Sequence, residues 1–152
     1  MKQKKTVKII IAILVLATVG LALLHFCTRE QVPGGTLMIS QGKESVTIDI
    51  SRLPTTAVTG VIVNGKGEEK TVDTQGIPVS AVLLEAGIDP AGINTVTVTA
   101  DDEFSAELSA GDVNAEGKAY LTVEEDGSLT LIVFGDPNAK RNVRNVVKLN
   151  AE

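Results

Sequence analysis

Beyond residue 27 the sequence contains neither cysteine nor histidine, since the single histidine is His25 and the single cysteine is Cys27. Without these side chains, residues 28–152 have no means to form a disulfide framework, a cysteine nucleophile, a histidine base or a cysteine–histidine zinc site. His25 and Cys27 follow an apolar segment, and we expect them to have no catalytic or metal-binding role. Several common enzyme chemistries are therefore excluded from the long C-terminal part.

Positive charge is also scarce away from the N-terminus. Residues 30–152 contain all 19 acidic residues but only 9 of the 14 basic ones, so their formal net charge is −10. A strongly negative surface repels nucleic acid and anionic membrane surfaces, and we expect neither as a partner of this part of the chain. Such a charge is typical of a solvated exported domain.

The N-terminus combines a basic tail with a long apolar run, IIIAILVLATVGLALL, at residues 9–24. Crossing a bilayer as a helix takes ~20 residues, a length that the segment reaches when it extends to Cys27. Because lysines favour the cytoplasmic side, we expect a single-pass protein of the cell membrane. Its parts are a cytoplasmic tail at residues 1–8, a transmembrane signal anchor at 9–27 that contacts the lipid bilayer, a linker at 28–35 and one extracytoplasmic domain at 36–152. A cleaved signal peptide is the alternative, although Phe26 before Cys27 does not resemble a cleavage site.

Short strand-forming runs dominate the C-terminal domain. TLMIS, SVTIDIS and NTVTVTA predict strands, and in the second of these Val46, Ile48 and Ile50 are expected to share a buried face. Two hairpins are predicted, one turning at Asn64-Gly65 and the other at Asp126-Gly127. Together these segments predict a mostly β domain.

One segment, GIPVSAVLLEAGI, predicts an α-helix instead. Pro78 suits the first helical position, Gly87 can end a helix, and the apolar residues between them recur at helical spacing: Val79, Val82, Leu83 and Ala86. The stretch DDEFSAEL predicts a polar turn with Phe104 directed into the core, and SAGDVNAEG predicts a turn or short helix. The expected fold class is therefore α+β, mostly β.

The order of these segments is similar to that of a known family. ISRLP, GIPVSAVLLEAGI, VTVTADDEFSAEL, AYLTVEEDGSLTLIVFGD and RNVRNVVKLN follow one another over nearly all of Thr36–Leu149. In this order they resemble the molybdopterin-binding domain of sulfite-oxidase-type oxidoreductases, most of all its small membrane-anchored bacterial versions. The resemblance implies a mixed α+β fold with curled sheets and few helices.

The departures from the family pattern fall on its chemistry. In catalytic relatives a cysteine thiolate binds molybdenum in the segment that matches VTGVIVNGKG, where this chain has Val61, Ile62, Val63 and Asn64. Aliphatic side chains do not replace a thiolate. The family's tryptophan beside the basic residue of the last strand is here Asn145, and the histidines that hold the pterin have no counterpart. We therefore expect no metal and no cofactor, with bound molybdopterin as the alternative.

The closing stretch DPNAKRNVRNVVKLN gathers basic residues, and the family resemblance places Arg144 near a pterin phosphate. A guanidinium suits phosphate, so the candidate anion-binding residues are Arg141, Arg144 and Lys148. Strand alternation predicts one face with Val143, Asn145, Val147 and Leu149, and another with Arg144, Val146 and Lys148. The alternative is that these cations, together with Lys140, pair with carboxylates on the acidic surface.

No other motif predicts catalysis. The acidic turn ADDEFSAEL lacks the spacing of a calcium loop, VNGKGEEK lacks that of a phosphate loop, and neither Ser80 nor Ser105 lies in a Ser-x-x-Lys pattern. The sequence therefore indicates a membrane-anchored, extracytoplasmic, non-catalytic binding or scaffolding module. One alternative is an accessory oxidoreductase-type protein that still binds molybdopterin or another small anion. The other is a cell-wall or surface interaction module.

Overall fold

The structure is a computed structural model that describes residues 34–137 and 139–152, together with residues 15, 17, 18 and 20. The chain divides into two compact units, residues 1–31 and 32–152. The four described positions of the first unit are helical. No helix among the described residues is long and apolar enough to cross a membrane. The predicted tail at 1–8 lies outside the described residues, as do nearly all of the anchor at 9–27 and most of the linker at 28–35.

The second unit is mostly β with short helices, which confirms the expected fold class at this level. Its first strands are β1 (Thr36–Gln41), β2 (Glu44–Asp49), β3 (Thr56–Val63) and β4 (Glu69–Pro78), followed by helix α1 (Val79–Glu85). Then come β5 (Thr95–Ala100), β6 (Ser105–Ser109), helix α2 (Ala110–Asn114), β7 (Ala119–Val123), β8 (Leu129–Val133) and β9 (Val146–Ala151). Short 3₁₀ turns lie at Ile50–Arg52, Pro90–Gly92 and Ala139–Arg141.

The strands form two sheets. The five-stranded sheet has the order β2-β1-β9-β5-β6, in which β1 and β9 are parallel and the other pairs are antiparallel. The four-stranded sheet has the antiparallel order β3-β4-β7-β8. Its central pair, β4 and β7, is joined only at Ile77 and Pro78, opposite Leu121 and Tyr120.

The unit has its own hydrophobic core, built from both sheets and α1. Its fully buried members include Leu37, Ile39, Leu83, Val96, Leu121, Leu131 and Leu149. A smaller cluster contains Val58, Tyr120 and Phe134, whose two aromatic rings meet edge to face at a centroid distance of 6.1 Å. Because its strands pair with each other and its apolar residues pack internally, we expect residues 32–152 to fold as an isolated fragment.

Both predicted hairpins are present, and both turn through a five-residue loop. In the first, the Asn64 N–H donates to Glu68 O at 2.9 Å and the Gly67 N–H donates to Asn64 O at 3.0 Å. The second repeats this pattern at residues 124–128, and Gly67 and Gly127 share a φ of +82°. The turn predicted at Asn64-Gly65 is therefore wrong in position: the left-handed residue is Gly67. Within this loop the Asn64 side chain accepts hydrogen bonds from the N–H groups of Lys66 and Glu68.

Helix α1 confirms the helix prediction. Val79, Val82 and Leu83 are buried, and Gly87 follows the helix with a φ of +80°. Pro78 lies one position earlier than predicted, as the last residue of β4 and the cap of the helix.

Two predictions of burial are wrong. Phe104 is 49% exposed; it lies in the turn before β6, and Ala106 and Leu108 are the buried residues of that strand. Val46 is 41% exposed, because β2 is the outermost strand of its sheet and lacks a neighbour on one side. Of the apolar residues predicted to share a buried face in that segment, only Ile50 is fully buried.

Candidate functional site

Arg141, one of the three candidate anion-binding residues, is bound by two carboxylates of its own chain. It lies in the 3₁₀ turn Ala139–Arg141, where Nε and Nη2 donate to the two carboxylate oxygens of Asp136, each at 2.8 Å. Its third nitrogen, Nη1, donates to Asp112 Oδ2 at 2.6 Å. The hydrogen bonds with Asp136 are the main reason why the pKa of Arg141 is raised. The charge of this guanidinium is therefore balanced within the domain.

Asp112 has a second role, in the cap of α2. The Asp112 N–H donates to Ser109 Oγ at 3.2 Å, and Asp112 Oδ2 accepts from the Ser109 N–H at 3.1 Å, which together form a capping box. Lys118 Nζ lies 4.0 Å from Asp112 Oδ1. Burial raises the pKa of Asp112, but the hydrogen bonds from Ser109 and Arg141 outweigh it and hold this pKa below its ordinary value. We call Ser109, Asp112, Lys118, Asp136 and Arg141 the Arg141 cluster.

Asp136 is held by the short segment that follows β8. The Phe134 ring lies against Gly60 of β3 so closely that a Cβ at residue 60 would overlap it. The next residue, Gly135, donates its N–H to Val61 O at 2.9 Å and has a φ of +66°, which a glycine adopts without strain. The side chain of Asp136 is only 5% exposed. The Arg141 cluster is thereby tied to β3.

Arg144 and Lys148 lie in different surroundings from Arg141. Arg144 is exposed and sits between the bridge that joins Val143 to Leu131 and the start of β9. Lys148 is exposed in β9, with Met38 of β1 and Thr99 of β5 as its register partners. Among residues 34–137 and 139–152, neither cation forms an ion pair. The prediction that these residues bind an anion stays a prediction, and of the candidate residues only Arg141 is now known to pair with carboxylates.

The predicted alternation of the closing strand is wrong. β9 begins at Val146, and Asn145 before it has a left-handed φ of +53°. The register with β5 also shifts between Thr99 and Ala100. Asn145 is therefore exposed although Leu149 is buried, and Val146 is buried although Lys148 is exposed. A left-handed residue before the strand and a register shift within it together break the period of two.

The segment of β3 that was compared with a metal-binding segment in the sequence analysis, Val61–Val63, offers no ligand for molybdenum. Val61 pairs with Thr71 in the sheet and has an aliphatic side chain that is 41% exposed. Ile62 pairs with Lys70 and packs against the smaller hydrophobic cluster that contains Val58 and Phe134. Across the described part of the chain, no three His, Cys, Asp or Glu side chains are placed to hold a metal ion. The residues present therefore offer no thiolate or other ligand group for the metal of this cofactor.

A shallow depression of about 220 Å³ lies between the start of α1 and the segment after α2. Its lining includes Pro78, Ser80, Asn114, Glu116 and Tyr120. The Tyr120 hydroxyl accepts from the Gly117 N–H, and the Asn114 amide donates to Pro90 O and Ala110 O. Every buried side-chain nitrogen and oxygen atom among the described residues has a hydrogen-bond partner. The depression thus presents no unsatisfied group that would indicate a ligand.

Sequence reasoning missed both acidic members of the Arg141 cluster. Asp112 could have been found, because Ser109-x-x-Asp112 has the spacing of a capping box. Asp136 had no comparable signal, since it meets Arg141 through an irregular segment that has no fixed period.

No protein-family model and no curated protein sequence matches this chain. Any functional assignment therefore depends on the residues and the geometry described above.

Proposed function

We propose that residues 36–152 form a non-catalytic binding or scaffolding domain with the scaffold of a sulfite-oxidase-type molybdopterin-binding domain. In this proposal residues 9–27 anchor the chain in the cell membrane, and the domain lies outside the cytoplasm. The fold is mostly β, and helix α1 directly follows β4. Both features are compatible with the resemblance drawn from the order of the segments. The lysines before residue 9 and the apolar run after them support the orientation.

The non-catalytic assignment depends mainly on the amino-acid sequence of β3. Where catalytic relatives have a thiolate, this chain has the run Val61-Ile62-Val63, which continues a regular antiparallel ladder with β4. The Val61 carbonyl is engaged by Gly135. A ladder of aliphatic residues can support a fold, but it offers no ligand for a soft metal.

The Arg141 cluster adds a second argument. A bound pterin phosphate would need cations whose charge is not already balanced, yet Arg141 donates three hydrogen bonds to Asp136 and Asp112. An incoming phosphate would have to displace a carboxylate that is 5% exposed. Leaving such a carboxylate buried without its partner is costly, so the cluster opposes anion binding at Arg141.

The metal and pterin content of the purified protein tests this proposal. The full chain is extracted from membranes, molybdenum is measured by mass spectrometry, and pterin is measured by fluorescence after oxidative release. We expect neither in amounts comparable with the protein. Equimolar pterin would contradict the proposal, and an Arg144→Ala variant would then show whether Arg144 holds it.

The orientation is tested separately by adding a protease to intact cells. A domain outside the cytoplasm is digested while a cytoplasmic control protein stays intact. Protection of residues 36–152 until the cells are lysed would refute the orientation, independently of the pterin result.

A further inference from the structure

One side of β2 is open. The Ile50 N–H donates to Gly35 O at 2.9 Å, next to the antiparallel ladder between β2 and β1. Because backbone groups alternate in direction along a strand, Ile48 and Val46 also direct theirs towards β1. Ser45, Thr47 and Asp49 consequently direct their N–H and C=O groups away from the sheet. No backbone group from another described segment bonds to that side of β2.

The other three sheet edges have segments laid against them. Gly135 bonds to Val61 on β3, and Val143 forms a bridge to Leu131 on β8. The 3₁₀ turn that carries Arg141 packs next to β6. Proteins commonly cover or charge their edge strands in order to prevent unwanted pairing. Among the described residues, β2 lacks the backbone hydrogen bonds that other segments make to the edges at β3 and β8.

The open edge also exposes apolar surface. Val46 and Ile48 lie on the sheet face that carries the buried side chains of their register partners, Ile39 and Leu37. Val46 is 41% exposed, and Ile48 is partly exposed. A strand added next to β2 would cover both residues and extend the buried face of the sheet.

The sequence of β2 is complementary to itself in the antiparallel register that is symmetric about Thr47. An added strand can form hydrogen bonds only with the residues of β2 whose backbone groups are directed outwards. When an antiparallel second copy places its Thr47 opposite Thr47, the outward-directed residues of both copies face each other. Ser45 then lies opposite Asp49, and Val46 lies opposite Ile48, twice over by symmetry. No like charges face each other, because Glu44 lies opposite Ile50, and Lys43 is diagonal to Asp49 of the second copy.

We propose that β2 pairs with β2 of a second copy about a two-fold axis at Thr47, joining two five-stranded sheets into one continuous sheet. The occupant is a second copy because the hydrogen-bonding directions, the apolar pair and the charges all suit the same symmetric register. This inference does not depend on the proposed function, since it uses only the edge of the sheet.

Cysteine cross-linking of the full chain tests the register. In the proposed pair, Thr47 of each copy forms a hydrogen-bonded position with a Cα separation of about 5.5 Å, inside the range that a disulfide bridges. The two Ser45 residues are four positions out of register, roughly 13 Å apart, and lie beyond that range. Ser45 and Thr47 are both exposed on the same face of β2, so S45C is a matched control for T47C.

Both variants are made with Cys27→Ser, so that the native thiol does not contribute. We expect mild oxidation of the purified full chain to link most of the T47C chains as dimers and to leave S45C chains unlinked on non-reducing gels. Equal linking of the two variants, or no linking of T47C, would overturn the proposal. Co-purification of another protein without T47C linking would also overturn it, because β2 would then have a different occupant.

Thr47→Pro provides an independent measurement. The Thr47 N–H is directed outwards, so proline removes no hydrogen bond to β1 but blocks the outer side of the strand. By light scattering of the full chain in detergent, we expect two chains per particle for the wild type and for Thr47→Val, and one for Thr47→Pro. A wild type with one chain, or a Thr47→Pro variant that still has two, would contradict the pairing.

Discussion

Replacing Arg141 with methionine is the strongest test of the Arg141 cluster. Methionine keeps an unbranched, flexible chain but lacks the guanidinium. Asp136, whose side chain is 5% exposed, then loses both of the hydrogen bonds that it accepts among the described residues. The substitution therefore leaves a buried carboxylate with no hydrogen-bond donor among the described residues.

The expected cost follows from the burial of this pair. Removing one partner of a buried ion pair costs about 3–5 kcal/mol. Because the Arg141 side chain is 27% exposed, water reaches the site after truncation, and we expect the lower end, about 3 kcal/mol. Asp112 loses less than Asp136, since Ser109 still donates two hydrogen bonds to it.

Urea unfolding of the fragment 32–152 measures this cost. Arg141→Lys is the matched control, because it keeps the charge but lacks the planar fork, and we expect it to lose roughly 1–2 kcal/mol. Adding Asp136→Asn to Arg141→Met removes the unpaired charge and should restore part of the stability. A loss below about 1 kcal/mol for Arg141→Met, or no recovery in the double variant, would refute the reasoning.

Two further substitutions test the packing and the cap by urea unfolding of the same fragment. Gly60→Ala should destabilise by about 1–3 kcal/mol, because its Cβ would overlap the Phe134 ring, whereas Gly65→Ala meets open space and should change stability by less than about 0.5 kcal/mol; equal effects would contradict the close packing. Asp112→Asn should lose about 1–2 kcal/mol at pH 7. Because the folded-state pKa of Asp112 is lowered, its stabilisation is present above the ordinary value of 3.8 and is lost as the pH falls further, so the wild type and Asp112→Asn should converge in acid. A gap that persists in strong acid would show that Asp112 acts through something other than its charge.

Local patterns in the sequence were enough to predict most of the elements. Alternating β-branched residues predict strands, and the spacing of Val79, Val82 and Leu83 predicts α1, because both periods are properties of the backbone itself. The hairpins were predictable for a similar reason, although the first turn is a five-residue loop whose left-handed residue is Gly67.

Features that depend on the position of a strand in its sheet were not predictable from one sequence. The alternation in β2 is regular, yet Val46 is exposed because β2 forms the edge of the sheet. Asn145 breaks the alternation before β9 through a left-handed backbone, which its neighbours do not indicate. The pairing of Arg141 with Asp112 joins residues 29 positions apart, and only the fold brings them together.

The central claim is that Arg141 balances carboxylates of its own chain and that the basic closing segment does not hold an external anion. Calorimetric titration of the fragment 32–152 with a phosphate monoester measures this directly. We predict no saturable binding, with the same result for Arg144→Ala. Saturable binding by the wild type that is lost in Arg144→Ala would contradict the claim.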